Sequence, residues 1–169
     1  MSGGGQMARM GEYAVSRDPE DRLTALGLGS CIGLALVDRR TGVAGLAHIV
    51  LPVGTPLETD PPVKYAPTAV PYLIERLVAL GARRNHLRAV MVGGASMFAA
   101  SSKLEVGARN AAVVRGLLER SRIQIAAAAT GGKRGRTIRV YVGEGRVTSR
   151  VAGSAEEDLV AAASVMAFA

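Results

Sequence analysis

Two apolar segments joined by a short polar turn constrain the fold of this chain most. The first segment runs from Ile32 to Asp38, and the chain returns as a second one from Val43 to Leu51. Between them stands Arg39-Arg40-Thr41-Gly42, a polar sequence ending in glycine that is typical of a turn. Pro52 ends the second segment, because proline cannot donate to a β-ladder. The pattern predicts a buried antiparallel β-hairpin.

Further strands and two helices are expected around this hairpin. Apolar residues at helical spacing predict helices from Ala66 to Leu80 and from Ala108 to Arg120. A loop over residues 53–62 and an undefined segment over residues 98–106 separate the other elements. Short apolar runs predict the remaining strands, at residues 11–16, 23–28, 87–92, 124–129, 137–142 and 146–151. This alternation of strands, hairpins and helices predicts a mixed sheet.

The chain of 169 residues has the length of one compact domain. Gly3-Gly4-Gly5 predicts a flexible lead over residues 1–10, followed by the domain itself over residues 11–152. The tail over residues 153–169 is expected to be helical, because Glu156-Glu157-Asp158 suits a helix N-terminus and apolar residues follow. Such a tail could pack against the domain or bind a partner.

The charge and the cysteine count exclude several classes of protein. The net charge is +7, but its densest run, Lys133-Arg134-Gly135-Arg136, has no aromatic residues beside it for base stacking, so we expect no nucleic-acid partner. An acidic protein partner stays open. One cysteine and two histidines exclude a disulfide framework and argue against a zinc site.

No cofactor and no membrane insertion are expected. The glycine-rich stretches match neither a dinucleotide-binding loop nor a Walker loop. No secretory leader and no membrane-spanning segment is recognisable, and a single cysteine fits a reducing compartment. We therefore expect a cytoplasmic protein.

Cys31 is the first candidate for chemistry. A free cysteine is most often a small buried hydrophobe, and burial alone would explain this one. However, Cys31 stands where the glycine-rich turn Gly27-Leu28-Gly29-Ser30 enters a strand. Such a turn can present backbone N–H groups to a substrate, so Gly29 and Ser30 are candidates for an oxyanion hole.

His48 is the candidate base, although a core histidine bonded to a carbonyl would also fit its apolar strand. If the hairpin closes with Asp38 opposite Thr41, or with Val37 opposite Gly42, then Cys31 lies directly opposite His48. Facing residues of an antiparallel pair project from the same face, within about 5.5 Å at Cβ. An imidazole in this position can take the thiol proton and return it to a leaving nitrogen.

These residues lie in motifs that resemble the CheD family of chemoreceptor glutamine deamidases. The resemblance covers most of the chain. It rests on Leu26 to Cys31, Gly45 to Pro52, Lys64 to Ala66 with Thr68, Gly93 to Phe98, Val106 to Asn110, Thr130 to Gly132, and Gly135 to Thr137.

The resemblance implies a single-domain α+β fold of mixed, largely antiparallel β-sheets packed together and flanked by helices, similar to the toxin-deamidase (CNF-like) cysteine hydrolases. It also implies a protein-glutamine glutaminase that deamidates methyl-accepting chemotaxis receptors through a thioester on Cys31, with His48 as general base. A CheC-type phosphatase is implied as a partner.

One departure concerns the third catalytic member, which in the family is a threonine directly before Leu-Gly-Leu-Gly-Ser-Cys. Ala25 stands at that position here, and Thr24 lies one residue earlier. Thr24, a main-chain carbonyl, or no group at all could therefore orient His48. Because of Ala25, a non-catalytic module that docks receptors or a CheC-type phosphatase is the alternative function.

Overall fold

The computed structural model describes residues 4–96 and 105–162, and all structural statements refer to these ranges. Two α-helices occur, α1 over Ala66–Ala79 and α2 over Val106–Arg120, with a 3₁₀ turn at Arg84–His86. The strands in chain order are β1 Gly5–Met7, β2 Tyr13–Ser16, β3 Arg22–Leu28, β4 Ile32–Asp38, β5 Val43–Ile49, β6 Arg88–Gly93, β7 Gln124–Thr130, β8 Arg136–Tyr141, β9 Arg146–Val151 and β10 Glu156–Val160.

The strands form two five-stranded sheets within the described residues. The central sheet has the order β2-β5-β4-β6-β7, and the second sheet has the order β1-β3-β8-β9-β10. Among the strands of the described residues, the β1–β3 and β6–β7 pairs are parallel and the other pairs are antiparallel. The expected α+β fold of mixed, largely antiparallel sheets is therefore confirmed.

The central sheet is covered on both faces. Alternate residues of β4 and β5 pack against α1 and α2 on one face, among them Leu34 and Ile49. The residues between them, such as Ala35 and Leu46, pack against β3, β8 and β9 of the second sheet. A strand buried on both faces gives a continuous apolar run, which is why β4 and β5 were recognisable in the sequence.

The register of the β4–β5 hairpin differs from the predicted one. Asp38 pairs with Val43, so all four residues of Arg39-Arg40-Thr41-Gly42 form the loop, and His48 pairs with Gly33 instead of Cys31. The buried Asp38 carboxylate accepts hydrogen bonds from the Arg40 and Thr41 N–H groups at 3.0 and 3.2 Å, which stabilises this wider turn. Because the shift is two residues, the side chains keep their predicted face.

Both ends of the chain differ from their predictions. Gly5–Met7 of the supposed flexible lead forms β1, which pairs in parallel with β3. The tail at Glu156–Val160 forms a strand instead of a helix. There the Glu156 carboxylate accepts hydrogen bonds from Tyr141 and Thr148, and Asp158 pairs with Arg146, so these cross-strand contacts outweigh the local helix preference. Residues 163–169 of the tail lie outside the described ranges.

The two helices agree closely with the sequence. α1 begins at Ala66 as predicted and ends one residue early, and α2 begins two residues early. The undefined segment at residues 98–106 falls mostly outside the described ranges. Neither helix is long and apolar enough to cross a membrane.

Candidate active site

Cys31 lies on a tight turn between β3 and β4, and its side chain is 7% exposed. Gly27 has φ of 65°, a conformation that favours glycine, and its carbonyl accepts a hydrogen bond from the Gly29 N–H at 3.0 Å. The Gly29 donor is therefore already engaged. In the described part of the chain, the N–H groups of Ser30 and Cys31 have no backbone acceptor on another residue. These two donors are free to bind an oxyanion.

The segment at the end of β6 is hydrogen-bonded to the turn that carries Cys31. The Gly94 N–H donates to the Cys31 carbonyl at 2.9 Å, and the Ala95 N–H donates to the Gly29 carbonyl at 2.8 Å. Gly93 has φ of 116°, and a Cβ at this position would collide with the Cys31 carbonyl oxygen. Gly93 is thus required by the close approach of β6 to the turn that carries the thiol.

His48 lies on β5, is 3% exposed, and has only one of its ring nitrogens engaged. Nδ1 donates to the Ala8 carbonyl oxygen at 3.0 Å. Because a carbonyl can only accept, Nδ1 carries the proton and the neutral ring presents the lone pair of Nε2. Nε2 is buried and has no hydrogen-bond partner among the described residues. This is the tautomer that a general base requires.

The group that orients His48 is therefore a main-chain carbonyl, and this corrects the sequence-based suggestion of Thr24. Leu23 and Ala25 point into the space between the sheets, so the intervening Thr24 side chain projects from the opposite face of β3. Thr24 contributes through its backbone instead, since its carbonyl accepts the Ala8 N–H at 2.9 Å. The hydrogen-bonded path runs from Thr24 to Ala8 to the imidazole.

Cys31 and His48 project from the same face of the central sheet. Even-numbered residues of β5 and odd-numbered residues of β4 face the second sheet, and Cys31 packs in that cluster. His48 is opposite Gly33, two residues beyond Cys31, so the pair is diagonal. Diagonal neighbours lie roughly 7 to 8 Å apart. No hydrogen bond joins the Cys31 sulfur to His48 Nε2.

Burial keeps both groups neutral at rest. Removal from water raises the pKa of the Cys31 thiol, and its own backbone N–H offsets this only in part. Removal from water also lowers the pKa of His48, opposed by the Ala8 carbonyl and weakly by the Glu12 carboxylate. The resting site is therefore a thiol beside a neutral imidazole.

Asn110 on α2 is a site residue for which the sequence analysis proposed no role. It is fully buried, and its Nδ2 donates to the Ser30 and Val50 carbonyl oxygens, both at 2.9 Å. It occupies the buried stripe of α2 with Gly107, Val114 and Leu118. An asparagine at helical spacing within an apolar stripe is a signal that could have identified it.

The basic run at Lys133 to Arg136 and a cavity at the far end of β4 both lie outside the Cys31 and His48 pair. Arg136 donates to the Gly131 carbonyl at 2.8 Å and so braces the end of β7. A cavity of about 650 Å³ lies at the other end of β4, where Asp38, Arg40 and His86 contribute to its lining, and it contains neither Cys31 nor His48. No group of three or more potential metal ligands occurs among the described residues.

Comparison with known proteins identifies relatives over most of the chain. A Clostridium botulinum protein named "Probable chemoreceptor glutamine deamidase CheD" is 42% identical over 79% of this chain and 85% of its own length. Proteins of the same name from Methanococcus vannielii and Symbiobacterium thermophilum are 41% and 39% identical, over 84% and 89% of this chain and 92% and 94% of their own lengths.

One solved structure shows a distant likeness to the chain. A Neisseria meningitidis protein of the DUF152 family superimposes with a TM-score of 0.43 and 9% identity, over 76% of this chain and 63% of that chain.

The family described as CheD chemotactic sensory transduction matches residues 50–151, more than half of the chain. Together with the relatives of about 40% identity, this match shows that the chain belongs to the CheD family.

Proposed function

We propose that this protein is a chemoreceptor glutamine deamidase, a protein-glutamine glutaminase with Cys31 as nucleophile and His48 as general base. The observation that carries the proposal is the buried, unpartnered Nε2 of His48, which faces the same inter-sheet space as Cys31. The relatives are named for this activity. The Ser30 and Cys31 N–H groups, which have no backbone acceptor on another residue in the described ranges, provide the oxyanion site.

The reaction follows from these groups. Nε2 takes the thiol proton as Sγ attacks the carboxamide carbon of a receptor glutamine, and the developing oxyanion binds the Ser30 and Cys31 N–H groups. The imidazolium then protonates the leaving nitrogen, and departure of ammonia leaves a thioester on Cys31. His48 next deprotonates water, which attacks the thioester and releases glutamate and the free thiol. One water is consumed and one ammonia is formed.

The resting geometry requires a small movement before the first proton transfer, because Sγ and Nε2 are not hydrogen-bonded. Rotation of the Cys31 side chain on substrate binding would shorten the distance. Catalytic hydrogen bonds are often long in a free enzyme and tighten only in the complex. The neutral pair also explains how a buried site avoids holding two unsolvated charges at rest.

Mass spectrometry of a receptor cytoplasmic fragment tests the proposal. The wild-type protein should convert selected glutamines to glutamate, while Cys31→Ala and His48→Asn should each lower the rate by roughly 10³-fold or more. The asparagine side chain in the second variant could still donate to the Ala8 carbonyl but has no basic nitrogen. His86→Asn, at the opposite end of β4, is the matched control and should retain full activity.

Two outcomes would contradict this function. If the wild-type protein produces no conversion, the chain acts as a non-catalytic docking module. If Cys31→Ala converts glutamine as fast as the wild type, the thiol is not the nucleophile.

The same proposal includes a location and a second partner. The protein acts in the cytoplasm, on the cytoplasmic part of the receptors, and binds a CheC-type phosphatase, as the family resemblance implies. Co-elution of the purified protein with a CheC-type phosphatase in size-exclusion chromatography tests this partner, and separate elution at micromolar concentrations would argue against it.

A further inference from the structure

The side chain of Asn110 bonds two carbonyl groups, one just before β4 and one just after β5 of the hairpin. The Ser30 carbonyl lies on the turn before Cys31, and the Val50 carbonyl lies two residues beyond His48. Both bonds come from the same Nδ2 atom at 2.9 Å, so both of its hydrogens are used. Asn110 therefore connects the nucleophile's chain to the base's chain.

The orientation of the carboxamide is fixed by its neighbours. A flipped side chain would place Oδ1 against two carbonyl oxygens. All three oxygens accept hydrogen bonds and none can donate, so no hydrogen bond would form. Oδ1 is consequently the free atom, buried and without a donor among the described residues. A buried unpaired acceptor is unfavourable, and residues that only fill space do not carry one. This observation indicates that the two donated bonds have a role beyond packing.

The two carbonyls lie just beyond the last pair of the hairpin ladder. That ladder ends at Ile32 and Ile49, so Cys31 and Val50 are the first positions without a cross-strand partner. We propose that Asn110 is a positioning residue for the deamidation described above, replacing the missing ladder contact and thereby fixing the separation of Cys31 and His48. This inference rests on the proposed function for its catalytic meaning, but its structural part can be tested independently.

The two hydrogen bonds from Asn110 to the Ser30 and Val50 carbonyls are called the Asn110 clamp below. The first turn of α2, which precedes Asn110, packs closely against the segment after β6. A Cβ on Gly107 would lie 2.7 Å from the Gly94 carbonyl oxygen, so only glycine lets the helix approach this closely. The N–H groups of Gly94 and Ala95 in turn hold the Cys31 and Gly29 carbonyls. α2 therefore reaches the nucleophile turn through packing as well as through the Asn110 side chain.

Two measurements on Asn110→Ala should change in opposite directions. Without the two Asn110 hydrogen bonds the turn can open, so iodoacetamide should modify Cys31 about tenfold faster at pH 7.5. The reason is that the thiol regains solvent, which removes the burial that raises its pKa. Deamidation of the receptor fragment should fall roughly 10- to 100-fold in kcat, with KM nearly unchanged, because the base is misplaced. The alkylation rate should be followed from pH 7 to pH 10 by intact mass.

Val114→Ala is the matched control, since Val114 is fully buried on the same stripe of α2 but touches neither carbonyl. It should lower the melting temperature while leaving the alkylation profile and kcat near their wild-type values. If Asn110→Ala does not fold, Asn110→Ser, which keeps one hydroxyl donor, should give smaller changes in the same directions.

The proposal requires both readouts to change together. A faster alkylation with unchanged kcat overturns it, as does a lower kcat with an unchanged alkylation profile. If the wild-type protein deamidates nothing, the proposed function fails, and the alkylation profile alone tests whether Asn110 holds the turn. An unaltered profile for Asn110→Ala then overturns that role, and faster alkylation supports it.

Discussion

His48 is oriented by the Ala8 carbonyl, where a side-chain hydroxyl or carboxylate would be the more familiar solution. A carbonyl selects the same tautomer, because an acceptor next to Nδ1 requires that Nδ1 carry the proton. It adds no negative charge, so it stabilises the imidazolium less than a carboxylate would. The low pKa of His48 agrees with this arrangement, since burial outweighs the Ala8 contact.

A threonine restored at position 25 should not improve catalysis. Ala25 is fully buried between the sheets, and its added hydroxyl would compete with a contact that Ala8 already makes. We expect Ala25→Thr to change kcat by less than about threefold, under 1 kcal/mol in activation free energy. Overpacking should cost about 1 to 3 kcal/mol of stability. Steady-state deamidation and urea unfolding measure the two effects, and a gain of tenfold or more in kcat would show that the carbonyl is an inadequate substitute.

The buried neutral imidazole should also make stability depend on pH. Below about pH 6.5 the unfolded chain protonates residue 48, whereas the folded chain resists because the pKa of His48 is lowered. Stability is therefore lost as the pH falls from about 6.5 toward the folded-state pKa, by about 1.4 kcal/mol for each unit of depression. In melting experiments between pH 7.5 and pH 5.5, the wild type should lose more stability than His48→Asn. Equal losses would mean that His48 takes up its proton as readily in the folded protein as in the unfolded chain.

At the scale of elements, the N-terminal segment supplies a part of the active site. β1 pairs with β3, and this pairing continues into the Ala8 N–H bond to the Thr24 carbonyl. Ala8 is itself 1% exposed. Three glycines near the start of the chain predict flexibility from local composition alone, because the partner strand β3 is distant in sequence. The long-range pairing determines the outcome.

Removal of residues 1–8 should therefore impair catalysis more than folding. The truncated chain loses β1 and the carbonyl that holds His48, while the strand pairing of the central sheet and both helices remain. We expect kcat for deamidation to fall roughly 10- to 100-fold through misorientation of the base. Removal of residues 1–3 alone is the control and should leave activity unchanged. Full activity after the longer deletion would contradict the role of Ala8.

Elements with strong local signals were predictable, and their pairing was less so. β4 was placed correctly by its apolar run, and α1 by its periodicity and its proline in the first turn. The hairpin register was wrong by two residues because it depends on the Asp38 carboxylate bonding the turn, a contact that residue order does not reveal. β10 was mistaken for a helix because its acidic residues find their partners on β8 and β9.

For the whole molecule, the close contact of the two sheets depends on a residue with no side chain. Gly33 lies opposite His48, and a Cβ there would lie 2.8 Å from Ile138 Cγ2 and from Leu28 Cδ1 of the second sheet. The absence of this Cβ allows the second sheet to close over the space that Cys31 and His48 share. Strand alternation predicted that Cys31 and His48 share a face of the hairpin. It did not predict how closely the two sheets approach each other at Gly33.

Two glycine substitutions should have opposite effects on global stability. Gly33→Ala should lower the free energy of unfolding by about 1 to 3 kcal/mol, because the sheets must separate to admit the methyl group. Gly116→Ala on α2, whose Cβ would meet only Arg120 Nη1 at 3.6 Å, should raise it by about 0.5 to 1 kcal/mol through helix propensity. Urea denaturation measures both. A neutral Gly33→Ala would mean that the second sheet can shift without cost.

The β4–β5 ladder ends at Ile32 and Ile49, so the Cys31 thiol lies just beyond the last pair of a hairpin. Ladder ends open with far less free energy than global unfolding requires. Warming should therefore separate thiol from imidazole in a growing fraction of molecules while the core stays intact. Activity would decline at temperatures below the melting transition and return on cooling, so the working temperature range of this enzyme is set by a local equilibrium at one end of one hairpin.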